Sequence, residues 1–241
     1  MNALVRKLAG FGDFSDEDRH AIEQLCAETR RYGAGEDLIR EGERPEHVFL
    51  LLDGWGFRYK LLPGGKRHIM AYLIPGDLCD IHIFVLKAMD HGIGLLSPAT
   101  VALIKPDRLV EIMDKRRKVE RALWWATLVD EAILRAWLVN MGQRDAFQSI
   151  AHLLCEIRLR MRAVGLADGP QFSLPLTQVE LSDTMGLTPV SVNRALQRLR
   201  SDGLVSLEQK QLTIHDPKRL AQVSGFEANY LHLSGDGDPS S

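Results

Sequence analysis

Residues 177–215 constrain the fold more than any other part of the chain, because they contain start and stop signals for two short helices. Thr177 and Glu180 have the spacing of a capping box, in which each side chain binds the other residue's backbone N–H. Gly186 can adopt the left-handed conformation that ends a helix. Thr188, followed by a proline, suits the start of a second helix. The sequence therefore predicts two short helices joined by a glycine turn.

The second of these helices, predicted from Pro189 to about Ser201, has one apolar and one polar face. Val192, Leu196 and Leu199 recur at helical spacing and are predicted to face the core. The opposite face carries basic, amide, hydroxyl and small apolar side chains, namely Val190, Ser191, Asn193, Arg194, Gln197 and Arg198. Such a surface suits contacts with nucleic acid.

A β-hairpin is predicted directly after the second helix. Residues 204–207 and 211–214 are apolar runs that flank a polar tip at 208–210. Two helices followed by such a ribbon form a winged helix-turn-helix, which places one helix in the DNA major groove. The alternatives are a helical hairpin with no nucleic-acid role and a domain that binds protein. A basic rim around the second helix would favour DNA, and an apolar rim would favour protein.

Composition limits the remaining choices. The chain has 241 residues and a net charge of −2, so it has room for a second domain and is not an indiscriminate polyanion binder. No apolar run is long enough to span a membrane, and the first ten residues lack the apolar core of a signal peptide. Cys26, Cys79 and Cys155 are widely spaced, which indicates reduced thiols and a cytoplasmic location. No common catalytic motif is present, so the sequence does not predict an enzyme.

The N-terminal half is predicted to be a β-roll of residues 1–115 that begins with a helix at 15–29. From residue 32 to about 104, short apolar runs alternate with turn signals such as Pro63-Gly64-Gly65 and Pro75-Gly76-Asp77. Strands at this spacing indicate a roll or barrel. A DNA-binding domain is predicted at 142–233, where Asp145 can cap a helix at 146–163, and the polar tail 234–241 is predicted to be disordered.

Residues 116–141 are predicted to form one long dimerisation helix. Small and β-branched residues recur at heptad spacing, which favours close approach of two helices; the expected contact residues are Val119, Ala126, Val129, Ile133 and Ala136. The alternative is an ordinary buried helix. The adjacent Trp124 and Trp125 favour the dimer, because they cannot both face one core.

The order of roll, long helix and winged helix-turn-helix resembles the CRP/FNR family of bacterial transcription regulators, over almost the whole chain. The sensor half carries EGERPEHVFLLLDG at 41–54 and IPGDLCD at 74–80, which are similar to turns of that family. The strongest likeness lies in the winged helix-turn-helix, which we call the reader. It contains LTQVEL at 176–181, then Gly186 and Thr188, and then VNRALQRL at 192–199. The resemblance implies an α+β fold with a cyclic-nucleotide-binding-like β-roll. It also implies a homodimer on a two-fold symmetric double-stranded DNA site, with RNA polymerase as a further partner.

The resemblance also assigns roles to residues of the reader. Positions that hold phosphates in the family match Thr177, Gln178, Thr188, Ser191 and Arg198. Positions on the base-reading face match Val190, Asn193 and Arg194. The guanidinium of Arg194 can pair with guanine O6 and N7, and Val190 can touch a thymine methyl. Where the family carries an Arg-Glu or Val-Glu pair, this chain has Pro189 and Val190. No acidic residue is therefore available here to accept a hydrogen bond from cytosine N4.

The resemblance says more about which effectors the chain is not expected to bind than about which one it binds. The cyclic-nucleotide branch holds ribose with a glutamate and the cyclic phosphate with an Arg-Ser pair. The matching positions here are Asp80-Ile81 and His91-Gly92, which offer no strong partner for cAMP. Leu134 and Arg135 stand where that branch places hydroxyls near the adenine.

Iron–sulfur and haem sensors also occur in this family. An iron–sulfur cluster needs clustered N-terminal cysteines, and only Cys26 lies there. Haem is an open alternative, because Cys79 and His82 lie near the ligand positions of haem-bearing relatives, although the cysteine stands one place earlier. The competing interpretation is a buried cysteine and a hydrogen-bonded histidine, with another small molecule or no ligand at all.

Overall fold

The computed structural model of the protein describes residues 2–81, 85–86 and 88–233. It divides into two compact units, and the division falls between Leu128 and Val129, inside one long helix. The domain boundaries predicted at residues 115 and 141 therefore differ from this division. The predicted disordered tail 234–241 lies outside the described residues. No helix in the described ranges is long and apolar enough to cross a bilayer.

The N-terminal unit combines helices with a two-sheet β-roll. Its helices are α1 (Ala3–Leu8), α2 (Asp16–Leu25), α3 (Pro106–Lys115) and the first part of α4 (Arg117–Gln143). Its strands are β1 (Thr29–Tyr32), β2 (Asp37–Ile39), β3 (Val48–Asp53), β4 (Gly56–Leu61), β5 (Arg67–Leu73), β6 (Gly92–Leu95) and β7 (Ala99–Ile104). One antiparallel sheet has the order β1-β7-β3 and the other β2-β6-β4-β5, which confirms the predicted roll.

Strand β3 separates two apolar clusters, because successive side chains of a strand point to opposite faces. Val48 and Leu50 belong to a cluster with α1, α2, α3 and the first part of α4. Phe49 and Leu51 belong to a second cluster inside the roll. The same alternation continues in β7. The two sheet faces are therefore both covered, which explains the nearly continuous apolar sequence of β3.

The turn at residues 75–77 joins α1 to the roll. Asp77 is buried and its carboxylate accepts hydrogen bonds from the backbone N–H of Ile74, at 2.8 Å, and from Nζ of Lys7, at 2.6 Å. Gly76 has φ +98°, and a Cβ there would lie 2.7 Å from the carbonyl oxygen of Ala3. The turn therefore needs glycine both for its backbone conformation and for the close approach of α1.

The C-terminal unit contains the end of α4 and the winged helix-turn-helix. Its elements are α5 (Ala146–Ala163), β8 (Gln171–Ser173), α6 (Gln178–Met185), α7 (Pro189–Ser201), β9 (Val205–Glu208), β10 (Gln211–Ile214), α8 (Pro217–Ser224) and a 3₁₀-helix (Ala228–Leu231). The three strands form an antiparallel sheet in the order β8-β10-β9. Helix α5 begins and ends where the sequence predicted, and Asp145 caps it as expected.

Helix α4 presents a different face to solvent from the one predicted. Val119, Ala126, Val129 and Ile133 are buried within the single chain, and Ala136 is half-buried. The residues that carry the exposed apolar surface are Trp124, Leu128, Leu134, Leu138, Val139 and Met141. The predicted contact residues therefore already serve the chain's own core. The large apolar side chains of α4 that remain accessible to a second molecule lie on the other face.

A buried carboxylate connects three segments of the C-terminal unit. The Glu156 side chain on α5 is fully buried. It accepts hydrogen bonds from Nε1 of Trp137 on α4, at 3.0 Å, and from the hydroxyl of Tyr230, at 2.9 Å. Nη1 of Arg160 lies 3.4 Å away and supplies an opposite charge. Burial raises the pKa of Glu156 despite these partners.

We predict that Glu156→Ala destabilises the C-terminal unit by about 2–6 kcal/mol, because the buried donors of Trp137 and Tyr230 would each lose their acceptor, at about 1–3 kcal/mol each. Denaturant unfolding followed by fluorescence should show the loss. Glu156→Gln is the matched control, since an amide oxygen can still accept hydrogen bonds, and an equal loss in both variants would contradict the prediction.

The raised pKa of Glu156 also fixes the sign of a pH dependence. A carboxyl whose folded pKa exceeds its unfolded value of 4.5 contributes stability below that value and loses it as pH rises through the folded pKa. The stability of wild type relative to Glu156→Gln should therefore fall as the pH rises through the range above 4.5. A constant difference over this interval would show that the folded pKa is not raised.

Candidate nucleic-acid interface

Helix α6 starts and stops through the contacts that its sequence predicts. The hydroxyl of Thr177 accepts hydrogen bonds from the N–H groups of Val179 and Glu180, while the Glu180 carboxylate accepts one from the Thr177 backbone at 2.7 Å. Gly186 ends the helix in the left-handed conformation, with φ +64°. The turn after α6 is thus fixed by local contacts, which sets the direction of the following helix.

Helix α7 is capped by Thr188, whose hydroxyl accepts a hydrogen bond from the N–H of Ser191 at 3.2 Å. Its apolar side is buried as predicted, through Val192, Leu196 and Leu199. Its opposite side faces solvent: the Val190 side chain is 60% exposed, and Arg194 is exposed. The predicted base-reading residues are therefore available on one accessible helix face.

Arg194 and Asn193 differ in how they are held. Arg194 makes no hydrogen bond or ion pair with any other residue in the described ranges, so its guanidinium is free to meet a ligand. Nδ2 of Asn193 donates to Oε1 of Gln178 at 3.4 Å. This contact joins a predicted base-reading residue of α7 to a predicted phosphate-binding residue at the start of α6.

Arg198 has a more constrained position than its sequence suggested. Its guanidinium carbon lies 4.2 Å from the centre of the Phe147 ring, and its Nε lies 3.9 Å from the carboxylate of Asp202. The side chain is still 63% exposed. Packing on Phe147 holds the cation close to α7. A phosphate contact by Arg198 would therefore come from a positioned side chain, with Asp202 as the competing anion.

The predicted wing is present as a tight hairpin. Gln209 and Lys210 form its two-residue turn with φ +48° and +62°, and Glu208 pairs with Gln211 across it. Positive φ at both positions is typical of the turns that suit twisted hairpins. Lys210 is exposed at the tip. The exposed side of α7 and the wing tip together carry cations, which favours nucleic acid over an apolar protein surface as the partner.

In the N-terminal unit, the residues predicted to surround an effector have separate roles. Ile81 is buried in the cluster on the helix side of β3, and Asp80 is half-buried. Nδ1 of His91 lies 2.6 Å from the Asp90 carboxylate, and this hydrogen bond lowers the pKa of Asp90. His82 lies outside the described residues.

Gly92 is covered by an aromatic ring. A Cβ at this position would lie 2.5 Å from Cζ of Tyr59. The hydroxyl of Tyr59 donates to Asp37 at 3.0 Å, and burial together with this bond raises the pKa of Tyr59 to about 12. The ring therefore occupies the space that a side chain at position 92 would need.

Cys79 is a fully buried residue of the roll interior. Its N–H donates to the carbonyl of Phe49 at 2.7 Å, and its carbonyl accepts from Nε of Arg58 at 3.1 Å. This environment agrees with a small packing residue. In the described part of the chain, no three His, Cys, Asp or Glu side chains are arranged to hold a metal ion.

The two α4 residues predicted to lie at the effector belong to the C-terminal unit and are exposed. Leu134 is 42% exposed. Nη1 of Arg135 lies 3.0 Å from the Glu131 carboxylate, and both of these side chains are 61% exposed. Both predicted effector residues thus lie on the exposed face of α4.

Two family models match the chain. Residues 29–116 match a cyclic nucleotide-binding domain, and residues 148–223 match a Crp-like helix-turn-helix domain. Among characterised relatives, the transcriptional activator protein FnrL of Cereibacter sphaeroides is 30% identical, covering 93% of this chain and 91% of FnrL. The transcriptional activatory protein AadR of Rhodopseudomonas palustris is 26% identical, with 90% of each chain covered.

Solved structures agree with this relationship. FixK2 from Bradyrhizobium japonicum is 26% identical and superposes with a TM-score of 0.70 over 81% of this chain and 96% of its own. A CooA variant from Carboxydothermus hydrogenoformans shares the fold with a TM-score of 0.65 at 19% identity, over 93% of this chain and 96% of its own. The chain therefore belongs to the CRP/FNR family of transcription regulators and is a DNA-binding member of it through its helix-turn-helix.

Proposed function

We propose that the protein is a homodimer that binds a two-fold symmetric double-stranded DNA site and controls transcription from it. The observation that carries this proposal is the exposed face of α7, where Arg194 is accessible and unpaired among the described residues. Family membership supplies the DNA-binding activity. The α7 face supplies the contacts that would make binding specific.

The proposed base readers are Val190, Asn193 and Arg194. Arg194 would bind guanine through O6 and N7, Asn193 would bind adenine through N6 and N7, and Val190 would contact a thymine methyl. Thr177, Gln178, Thr188, Ser191 and Arg198 are the proposed phosphate contacts. Four of them stand at or near the N-terminal ends of α6 and α7, where unpaired N–H groups and the helix dipole favour an anion.

The proposed dimer contact is the exposed stripe of α4, which comprises Trp124, Leu128, Glu131, Arg135 and Leu138. These residues recur every three or four positions, which is the repeat of a left-handed pair of parallel helices. Three of the five are large apolar side chains that are at least half exposed in one chain. Pairing with a second copy would remove this apolar surface from water.

The proposed partners follow from the relatives. FnrL is a transcriptional activator, and by analogy this protein would act on promoters together with RNA polymerase in the cytoplasm. The proposed effector is an uncharged small molecule, or none, rather than cAMP. Haem remains the second candidate, although the buried packing role of Cys79 argues against it.

A protein-binding second domain is the competing hypothesis. The observed cations on α7 and the wing favour DNA, because counterion release from DNA phosphates needs basic side chains. A salt-dependent shift of a selected duplex by the purified protein supports the DNA function. Absence of any duplex binding at low salt would reject it.

We predict that Arg194→Ala removes sequence preference. Loss of a bidentate Arg–guanine pair costs about 1–3 kcal/mol against the cognate site, while non-specific binding remains. The check is fluorescence anisotropy at fixed salt with a selected operator and a scrambled duplex. Arg198→Ala, at a proposed phosphate contact, should instead weaken binding to both duplexes by similar factors. Equal operator preference in wild type and Arg194→Ala would refute the assignment.

We also predict that Leu138→Asp converts the dimer to a monomer. Leu138 is 65% exposed in one chain, so the substitution is tolerated there, but it would bury an unpaired charge in the dimer. Sedimentation should show that the Kd of the dimer rises by at least about a hundredfold. Leu166→Asp, at another exposed leucine outside α4, is the matched control. A monomeric wild type at micromolar concentration would contradict the dimer.

A third prediction is that cAMP does not bind. Ile81 offers no acceptor for a ribose hydroxyl, and the Tyr59 ring covers Gly92. A ligand shifts a conformational equilibrium only through its differential affinity for the two states. Calorimetry with cAMP should show no binding heat, and operator affinity should not change on its addition. Tighter operator binding at micromolar cAMP would overturn this prediction.

A further inference from the structure

Helix α4 and the reader are joined by a very short link. Helix α4 ends at Gln143 and α5 begins at Ala146, so the link consists of Arg144 and Asp145. Helices α6, α7 and α8 pack on α5, which therefore holds the reader. Each linking residue has two rotatable backbone angles. The angle between the end of α4 and the reader is therefore set by the side chains around this link.

The Arg144 side chain ties the link to the end of α8. Its Nε donates to the carbonyl of Ser224 at 2.9 Å, and its Nη2 donates to the carbonyl of Gly225 at 3.1 Å. These carbonyls stand at the negative end of α8, where a cation is favourable. Nη1 of Arg144 lies 3.4 Å from Oδ1 of Asn140 on α4, and Nδ2 of Asn140 donates to the carbonyl of Ser149 on α5. One guanidinium thus connects the link with both α4 and α8.

The residues that follow α8 contact the same two helices. The hydroxyl of Tyr230 donates to the Glu156 carboxylate on α5 at 2.9 Å, and Nε1 of Trp137 on α4 donates to the same carboxylate at 3.0 Å. The His152 ring on α5 is stacked on the Tyr230 ring, with centroids 6.0 Å apart, and meets the Phe226 ring edge-on at 5.0 Å. The end of the chain thus helps to hold α4 against α5.

Residues 224–231, which we call the C-terminal strap, begin directly after the segment that matches the helix-turn-helix domain, 148–223. They meet the junction of α4 and α5 in two places, at Arg144 and at Glu156. Helix α4 carries the proposed dimer contact, and the reader carries the proposed DNA contact. The C-terminal strap therefore stabilises the connection through which a dimer would place its two readers.

The firmness of this connection has an energetic consequence for a dimer on DNA, because half-site spacing follows from the distance between the two recognition helices. One added base pair moves a half-site by about 3.4 Å along the duplex and by about 35° around it. A dimer can follow this movement by changing the angle between α4 and α5, or it loses contacts of one reader. Changing the angle breaks the bonds of Arg144 and Tyr230. Stronger bonds at the junction therefore give a larger penalty for a wrong spacing.

We propose that Arg144 and Tyr230 are positioning residues that, together with the C-terminal strap, determine which half-site spacing the protein accepts. This inference rests on the proposed homodimer on a two-fold DNA site and assigns the origin of its spacing selectivity. Neither residue has a DNA contact in this proposal, since both act through α4 and α5. The exposed face of α7 selects the bases of each half-site, and the C-terminal strap selects the distance between half-sites.

The test measures the binding of the full chain to a set of duplexes by fluorescence anisotropy at fixed salt. The set contains the selected operator, the same half-sites moved apart by one and by two base pairs, and a duplex with a single half-site. Wild type should prefer the selected spacing. Arg144→Ala should lower this preference by about tenfold, the factor expected for one lost hydrogen bond to a charged group. Tyr230→Phe keeps the ring, removes the hydroxyl and should lower the preference by about fivefold.

The controls separate positioning from a loss of stability. The preference is a ratio of two affinities, so it does not depend on the fraction of folded protein, and a variant that is only less stable keeps the wild-type preference. Arg144→Lys retains a cation that can donate to the carbonyls at the end of α8, and it should retain part of the preference. Arg108→Ala removes a cation from an exposed ion pair with Glu111 in the N-terminal unit, and it should leave the preference unchanged.

The outcomes distinguish this inference from the proposed function. A preference that falls in Arg144→Ala and Tyr230→Phe, with wild-type affinity for the single half-site, supports the role of the C-terminal strap. A wild type that binds the operator but accepts every spacing equally overturns it, as does an unchanged preference in both variants, and the proposed function then stands. A wild type that binds none of the duplexes at low salt rejects the proposed function instead.

Discussion

The structure depends on helix α4 having two apolar faces. The helix is continuous from Arg117 to Gln143, about 40 Å in length, and runs from one compact unit into the other. Its inner face supplies Val119, Ala122 and Ala126 to the core of the N-terminal unit. Its outer face keeps large apolar side chains in water. A helix built in this way can complete its own domain and still offer a surface to a second molecule.

The reader depends instead on short-range contacts. The capping box at Thr177, the left-handed Gly186 and the Thr188 cap each act within about four residues. Such contacts specify a turn without reference to the rest of the chain. This is why the reader's element bounds could be predicted from sequence, together with the exposed positions of Val190 and Arg194.

The inward face of α4 could not be predicted for a physical reason. Heptad spacing shows that a helix has an apolar face, but it does not show which of two such faces meets the chain's own core. Here the small and β-branched face, with Val129 and Ile133, is buried within the chain. In the exposed stripe of α4, Glu131 and Arg135 interrupt the apolar pattern, so the sequence pattern alone does not identify this stripe as an apolar face. Only the exposure of the side chains separates the two faces.

Other features were missed because their signals are weak or non-local. Helix α1 has six residues, and its apolar side chains are explained only by burial against α2 and β3. Helix α8 carries a local signature that was overlooked, with Asp216 as cap, Pro217 at its start and Gly225 at its end. The Glu156 network joins Trp137 to Tyr230, which is 93 positions later in the sequence. No spacing rule predicts such a contact.

The placement of α4 also limits how an effector could act. Ile81 and Leu78 share the helix-side cluster with Val119 and Ala122 of α4. A ligand that repacked this cluster would change the surroundings of α4 directly, because well-packed cores respond by discrete rearrangement. The reader shares its unit with residues 129–143 of the same helix. Since α4 is the covalent connection between the units, a ligand in the roll would control DNA binding by favouring one state of this helix over another, and only to the extent that it binds the two states with different affinity.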